Sequence, residues 1–210
     1  MDWIVFDYGC VISQPPPQQV GASFARAVGV VPDRFWEAYW NQRRPYDLGA
    51  VDASGFWGGV LAHLGHRDAQ VDLQTLIGLD LAAWTDLNQD TLAIVTELAE
   101  ADLQLVLLSN APVELARRID DQEWATLFRH RFFSADLRRA KPDPEAFRMV
   151  CQRLGAEPDD LLFVDDRDEN IAAAKALGIR SLRFSDAGQL REELAEVLPG
   201  PVSRPSDRGR

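Results

Sequence analysis

The chain has 210 residues, 46% of them hydrophobic and 26% charged, a composition that excludes disordered, collagen-like and coiled-coil proteins. The formal net charge of −11 repels nucleic-acid backbones, so no nucleic-acid partner is expected. No apolar run approaches the roughly 20 residues of a membrane span, and the first residues lack the pattern of a signal peptide. The two cysteines, Cys10 and Cys151, form neither a disulfide framework nor a metal cluster. We therefore expect a cytoplasmic protein without membrane contact, and nothing in the sequence specifies its oligomeric state.

The chain opens with an apolar run at residues 3–6, which predicts a strand. No strand pattern occurs from about residue 13 to residue 87. The periodicity there predicts four helices, near residues 18–28, 32–42, 53–64 and 73–83. The aromatic residues of this stretch include Phe35, Trp36, Tyr39, Trp40, Phe56 and Trp57. They suit a small helical core, and the alternative is that some of them line a substrate cavity.

Strand and helix patterns alternate through the rest of the chain. Strands are predicted at residues 103–109, 131–137, 161–165 and 180–184, and helices at residues 90–101, 144–154, 169–177 and 186–198. Because the strand runs are apolar at successive positions, they suit a parallel sheet that is covered on both faces. The pattern predicts a doubly wound α/β core at residues 1–13 and 88–198, a helical insertion at 14–87 and a disordered tail at 199–210.

Polar side chains stand at the ends of three predicted strands and before one predicted helix. They are Asp7, Ser109, Asn110, Lys141, Asp165 and Asp166. Each alone is a weak signal, since an aspartate after a strand is more often a turn former or a helix cap. Ligands of open α/β sheets bind beyond the carboxyl ends of the strands, so these groups are expected to converge at one edge. Carboxylates, a hydroxyl and an ammonium together indicate a site for a cation and a bound anion.

Four segments of the chain, in order, resemble the signatures of the haloacid-dehalogenase superfamily of phosphohydrolases. The segments are WIVFDYGCVIS, LVLLSNAP, RRAKPDPEAF and LLFVDDRDENIAAAKALG, and they lie between residues 3 and 178. The resemblance implies a Rossmann-like core, and the helical stretch is similar to the α-helical cap of the branch that includes haloacid dehalogenases and phosphoglycolate phosphatases. It also implies a hydrolase that acts on small phosphorylated metabolites with Mg²⁺.

The resemblance implies catalytic roles for four residues. Asp7 would attack the phosphoryl group and form an aspartyl-phosphate. Ser109 and the backbone amide of Asn110 would bind a phosphoryl oxygen. Lys141 would neutralise Asp7 and the phosphoryl group together, and it is one of only two lysines in a chain that has 20 arginines.

The same resemblance implies a magnesium site made of oxygen ligands, which Mg²⁺ requires. Its ligands would be Asp7, the backbone carbonyl of Gly9, and the pair Asp165 and Asp166. In the family pattern the second acid of such a pair is the more regular ligand, which favours Asp166.

The chain departs from the family pattern at Gly9, where an aspartate usually serves as general acid and base; Cys10 follows where glycine is usual. Losing such a group typically costs about 10²–10⁴-fold in rate. A phosphatase would then best tolerate leaving groups that need little protonation, such as sugar 1-phosphates, acyl phosphates or aryl phosphates. The second hypothesis is a binding or regulatory protein with blunted turnover.

A haloacid-type hydrolase is the third hypothesis. The dehalogenase branch typically has tyrosine where this chain has Gly9, and it uses no metal. Tyr8 lies one place earlier and is expected to face the sheet packing, because successive strand residues point in opposite directions. Arg43 or Arg44 would have to bind the substrate carboxylate, although solvated arginines near a helix end are the commoner case.

Overall fold

The computed structural model describes residues 2–66 and 71–198, and within them five parallel strands form one sheet. The strands are β1 (Trp3–Phe6), β2 (Gln104–Ser109), β3 (His130–Phe133), β4 (Leu161–Asp165) and β5 (Arg180–Arg183). Their order across the sheet is β3-β2-β1-β4-β5. The last residue of the central strand, Phe6, pairs with Leu107 and Val164, and β2 and β4 end at Ser109 and Asp165, shortly beyond these partners. The residues that follow β1, β2 and β4 therefore meet at one edge of the sheet.

Five described α-helices lie between β1 and β2 in the chain, and we refer to the first four as the helical insert. These four are α1 (Gln18–Val28), α2 (Pro32–Asp47), α3 (Ala53–His63) and α4 (Leu73–Trp84). They pack around an apolar core of their own, in which Phe24, Phe35 and Tyr39 meet Phe56 and Trp57. Stacked and edge-to-face contacts connect these rings, as the composition of this stretch predicted.

The remaining helices cover the two faces of the sheet. They are α5 (Gln89–Glu100), α6 (Val113–Asp120), α7 (Ser134–Leu137), α8 (Pro144–Leu154), α9 (Asp168–Ala176) and α10 (Ala187–Val197). Helices α5, α6 and α10 contribute to one buried cluster, whereas α8 and α9 contribute to the other. Helices on both faces of a parallel sheet confirm the doubly wound α/β fold and explain why its strands are apolar at successive positions.

Residues 131–137 were predicted to form one strand, and the second half of that prediction is wrong. β3 ends at Phe133, the last residue that pairs with β2, and the chain then turns into α7. Ser134 begins this turn because its hydroxyl accepts a hydrogen bond from the Ala111 amide at 2.9 Å. The sequence patterns also predicted no helix at Val113–Asp120. The structure has α6 there, and this helix buries Leu115, Ala116 and Ile119.

Helix α2 was predicted to end near residue 42, but it continues through Pro45 to Asp47. Proline lacks an N–H and normally interrupts a helix. Here the last turn is stabilised by an ion pair of Arg43 Nε with Asp47 Oδ1 at 2.6 Å and by the burial of Tyr46. None of the described helices has the length and apolarity needed to cross a membrane. The predicted disordered tail lies outside the described residues.

Candidate active site

A buried lysine links two carboxylates at the carboxyl edge of the sheet. Lys141 Nζ lies 2.7 Å from Asp7 Oδ1, beyond β1, and 2.7 Å from Asp165 Oδ2, at the end of β4. Lys141, Asp7 and Asp165 are only 2%, 7% and 0% exposed. The two carboxylates raise the pKa of Lys141, although burial opposes them, so the ammonium stays charged. The residues that the sequence singled out from separate segments are therefore in direct contact.

Asn110 holds the backbone of Lys141 in place. Its side-chain Nδ2 donates to the Lys141 carbonyl oxygen at 2.8 Å, and its Oδ1 accepts from the Lys141 N–H at 2.9 Å. The sequence predicted a role for the Asn110 backbone amide, and it did not predict this side-chain contact. Ser109, the last residue of β2, is buried beside it and lines the same cavity as Asp7 and Lys141.

The two acids after β4 have different surroundings. Asp165 accepts hydrogen bonds from the Arg167 amide at 2.8 Å and from Asn170 Nδ2 at 2.9 Å, in addition to its contact with Lys141. Asp166 is half-buried, lines the cavity and accepts no side-chain hydrogen bond within the described part of the chain. Burial and the neighbouring Asp165 raise the pKa of Asp166. The oxygens of Asp166 are thus left available to a ligand.

The carboxylates outnumber the cations at this edge of the sheet. Asp7, Asp165 and Asp166 each place an oxygen within 4.8 Å of the others. Lys141 neutralises one of these three charges, while the nearby Arg167 pairs with Glu169 at 2.6 Å. Burial raises the pKa of Asp7 to about 7 although Lys141 lowers it. An excess of two negative charges in a buried, oxygen-lined site fits a divalent cation such as Mg²⁺.

The helical insert forms the other wall of a cavity of about 390 Å³ over these groups. Trp40 and Trp84 supply apolar surface there, and Arg43 and Asp47 supply charge. Two aromatic residues of the insert, Trp40 and Trp84, therefore line the cavity, whereas Tyr39 is fully buried in the core of the insert.

The sequence-based interpretation of Arg43 as a solvated residue is wrong, since it is 5% exposed. Its guanidinium contacts Asp47, Asp80 (Nη1 to Oδ1, 3.1 Å) and the Tyr39 hydroxyl. Spacings of four residues between Tyr39, Arg43 and Asp47 place them on one helix face, which was the available signal for this network. Asp80 comes from α4, and no pattern in the sequence predicted its contact.

Position 9 carries no side chain, although the structure leaves room for one. A Cβ atom on Gly9 would lie 3.6 Å from Trp84 Cζ3, an ordinary contact distance. The side chain of the neighbouring Tyr8 packs in the core beside the sheet, as expected; its ring stacks on Trp124 and its hydroxyl donates to the Trp84 carbonyl oxygen at 2.5 Å. Cys10 is half-buried, and burial raises the pKa of its thiol to about 11, so the thiol remains protonated.

A family model described as haloacid dehalogenase-like hydrolase matches residues 12–178. The chain is 30% identical over 104 residues to flavin mononucleotide hydrolase 1 of Arabidopsis thaliana and 29% identical over 121 residues to phosphoglycolate phosphatase 1 of Pseudomonas aeruginosa. These alignments cover 50% and 57% of this chain but only 42% and 44% of the relatives.

A solved structure is similar over nearly the whole chain. It is a haloacid dehalogenase-family enzyme of Bacteroides thetaiotaomicron in a magnesium complex, with a TM-score of 0.75 and 18% identity. The match covers 95% of this chain and 99% of that one. At this identity the likeness establishes a shared fold.

Proposed function

The chain belongs to the haloacid dehalogenase-like hydrolases, and we propose that it is a Mg²⁺-dependent phosphatase of small phosphate monoesters. The proposal assigns residues 1–13 and 88–198 to the catalytic core and residues 14–87 to a cap that covers the substrate, in the cytoplasm. The names of two relatives, a phosphoglycolate phosphatase and a flavin mononucleotide hydrolase, support a phosphate ester as the substrate.

The contact of Lys141 Nζ with Asp7 Oδ1 at 2.7 Å is the observation that carries this proposal. A phosphate monoester is anionic and resists attack by another anion, so a carboxylate nucleophile needs positive charge beside it. Lys141 supplies that charge at Asp7, and Asp165 holds the ammonium from its other side. A buried lysine between two carboxylates at the mouth of a cavity suits phosphoryl transfer better than a purely structural role.

In the proposed reaction, an Asp7 oxygen attacks phosphorus while the bond from phosphorus to the leaving oxygen breaks. The product is an aspartyl-phosphate, which water then hydrolyses to restore Asp7. Ser109 and the Asn110 backbone amide donate to a phosphoryl oxygen, and Lys141 stays next to both the nucleophile and the phosphoryl group. Asn110 contributes a second time, because its side chain positions Lys141.

The acidic groups of the site would hold the metal ion. We assign Asp7, Asp166 and the Gly9 carbonyl as the direct protein ligands, since Asp166 lines the cavity and accepts no side-chain hydrogen bond from the described residues. Asp165 completes the acidic set but is occupied by Lys141, Asn170 and a backbone amide. When bound, Mg²⁺ would neutralise charge on the nucleophile and the phosphoryl group.

Two other functions were considered for the same site. A binding or regulatory protein with blunted turnover is favoured by Gly9, but such a protein has no chemical need for Asp7, Lys141 and Asp166 together. A haloacid-type hydrolase needs an arginine for the substrate carboxylate. Arg43 already pairs with Asp47 and Asp80, so it is a poor candidate for that role.

The test is hydrolysis of p-nitrophenyl phosphate and a panel of sugar phosphates, with Mg²⁺ or with EDTA, by the wild type and Asp7→Asn. Phosphate release that requires Mg²⁺ and is lost in the variant supports the proposal. A folded wild type that releases no phosphate from any of these esters would overturn it. Metal-independent chloride release from 2-haloacids would assign the site to dehalogenation instead.

A further inference from the structure

We propose that Asp47, from the helical insert, transfers the protons that Gly9 cannot transfer. The inference rests on the proposed phosphatase function and names a further catalytic residue for it. An alkyl leaving group needs a proton as its bond to phosphorus breaks, and the water of the second step must lose one. Gly9 has no acidic group, and Asp7 and Asp166 are already assigned as nucleophile and metal ligand. The two proton transfers therefore need another acid or base among the described residues that line the cavity.

Asp47 ends α2 directly above the loop that follows β2. The Ser134 hydroxyl donates to the Asp47 carbonyl oxygen at 2.5 Å and accepts from the Ala111 amide at 2.9 Å. Ala111 follows Asn110, the residue that positions Lys141. A single serine therefore connects the backbone of Asp47 to the loop proposed to bind the phosphoryl group.

Two further contacts hold this end of α2 against the core. The Tyr46 hydroxyl donates to Glu114 Oε2 at 2.9 Å, and Arg138 donates to the Gly49 carbonyl oxygen. Gly49 adopts a left-handed conformation with φ of 61°, and a Cβ there would lie 3.0 Å from Arg138 Nη1 and 3.2 Å from the Ala135 oxygen. The close approach requires glycine, so Asp47 is held at a fixed place over the site.

The carboxylate of Asp47 has one oriented oxygen and one open oxygen. Oδ1 accepts from Arg43 Nε at 2.6 Å, whereas Oδ2 has no hydrogen-bond partner in the described part of the chain. The side chain is 15% exposed, and Asp47 lines the same cavity as Asp7, Gly9 and Lys141. A largely buried carboxylate that is oriented by a second group, keeps one oxygen without a partner and lines the cavity of the reacting groups suits acid–base catalysis.

The surroundings also suit a group that exchanges protons near neutral pH. Burial raises the pKa of Asp47 to about 6, although Arg43 opposes the shift. The charged groups near it are Arg43 and Arg44 on its own helix, Asp80 on α4, and Glu114 and Arg138 among the residues that hold the turn. The core contributes four more to the same cavity: Asp7, Lys141, Asp166 and Arg167. Both protonation states are therefore accessible during turnover.

Two proton transfers balance in the proposed cycle. Protonated Asp47 gives its proton to the leaving oxygen, which has taken the electron pair of the broken bond to phosphorus. The resulting Asp47 carboxylate then accepts a proton from the water that attacks the phosphorus of the aspartyl-phosphate. Release of inorganic phosphate leaves Asp7 as a carboxylate and Asp47 protonated, as at the start.

The experiment compares wild type, Asp7→Asn, Asp47→Asn and Asp33→Asn with Mg²⁺, on a primary alkyl phosphate and on p-nitrophenyl phosphate. Asp33 is an exposed aspartate in the first turn of α2, so Asp33→Asn is the matched control. We expect Asp47→Asn to lose about 10²-fold or more in kcat on the alkyl ester. On the aryl ester it should release a burst of one equivalent of nitrophenol and accumulate as a covalently phosphorylated chain in intact-protein mass spectra.

A purely structural role of Asp47 would act through Arg43, and Asp80→Asn tests this possibility. That variant removes the other carboxylate of Arg43 but leaves Asp47 in place. If Asp80→Asn gives the same burst, or if Asp47→Asn keeps wild-type rates on both esters, the inference is wrong. If circular dichroism shows that Asp47→Asn does not fold, the dependence of the wild-type kcat on pH is measured instead. In this pH profile, kcat on the alkyl ester should change near pH 6, and a flat profile would refute the inference.

The failures of the two proposals are distinguishable in the same data. If the wild type releases no nitrophenol with Mg²⁺, the phosphatase proposal fails and the role of Asp47 fails with it. If the wild type turns over, Asp7→Asn is inactive and Asp47→Asn behaves like Asp33→Asn, only the role of Asp47 fails.

Discussion

The side-chain amide of Asn110 holds the backbone of Lys141 through two hydrogen bonds, one donated at 2.8 Å and one accepted at 2.9 Å. The two residues are 31 positions apart in the chain. These two hydrogen bonds fix the backbone position of Lys141. From that position the Lys141 ammonium contacts both Asp7 and Asp165. The position of the positive charge beside the nucleophile therefore depends on an uncharged residue.

Asn110→Ala should lower kcat on p-nitrophenyl phosphate by about 10²-fold, because a small displacement of a catalytic group has costs of that order. The KM should change less, since Lys141 keeps its charge. Asn41→Ala, at an exposed position of the helical insert, is the control and should retain wild-type kcat. A kcat of Asn110→Ala within twofold of wild type would contradict the positioning role.

Lys141→Met should destabilise the protein by about 3–5 kcal/mol at pH 7, the usual cost of leaving a buried charge without its partner. The loss should shrink at pH 5, because Asp7, whose pKa is raised to about 7 by burial, can then bind a proton. Urea unfolding at both pH values measures it. Lys175→Met replaces the other lysine, which is exposed, and should change the free energy of unfolding by less than about 0.5 kcal/mol. Equal effects of the two substitutions would contradict the burial argument.

Asp166→Asn should abolish the stabilisation of the protein by Mg²⁺. A cation that binds only the folded state raises the Tm by an amount that grows with the logarithm of its concentration relative to Kd, so the wild type should melt at a higher temperature in Mg²⁺ than in EDTA. Asp159 is exposed and precedes β4, at the end of the strand opposite Asp166. Asp159→Asn is therefore the control and should keep the full rise of Tm in Mg²⁺. An undiminished Mg²⁺ shift in Asp166→Asn would remove this residue from the proposed ligands.

The pKa of Asp47, raised from 3.8 to about 6, predicts how stability depends on pH. Between these values the folded protein binds a proton that the unfolded chain releases, so the contribution of Asp47 to stability falls as pH rises towards 6. Asp47→Asn cannot titrate. The free energy of unfolding of Asp47→Asn minus that of the wild type should therefore increase by up to about 3 kcal/mol as the pH rises from 4 to 7. A constant difference across this range would indicate an ordinary pKa for Asp47.

Gly9→Asp should restore alkyl phosphate turnover in the Asp47→Asn background, because the structure leaves room for a Cβ beside Trp84. We expect a gain of about 10²-fold in kcat over Asp47→Asn alone. Gly9→Asn in the same background has a similar shape and no acid, so it should give no gain. Equal rates for the two double variants would show that the added carboxyl does not transfer protons.

The doubly wound core could be predicted because each of its strands and helices is marked by a pattern of residues that are neighbours in the chain. Parallel strands buried on both faces require runs of apolar residues, and polar groups that follow such strands must meet at one edge of the sheet. For this reason the sequence alone indicated Asp7, Ser109, Asp165 and Asp166, whereas Lys141 was indicated by its place before a predicted helix and by the family resemblance. Their catalytic and metal-binding roles remain predictions for the experiments above.

The contacts between the helical insert and the core could not be predicted from the sequence. A proline at position 45 predicts that the helix ends early, yet burial of Tyr46 and the Arg43–Asp47 pair extend it. Arg43 is buried only because Asp80, 37 residues away, meets it across two helices. Likewise, the contact of the Asp47 backbone with Ser134, 87 positions away, helps to place Asp47 at the cavity. Contacts between segments that are distant in the chain offset the free-energy costs of a proline within a helix and of a buried charge. Local sequence patterns do not contain these contacts, so these residues become part of the site only when the chain is folded.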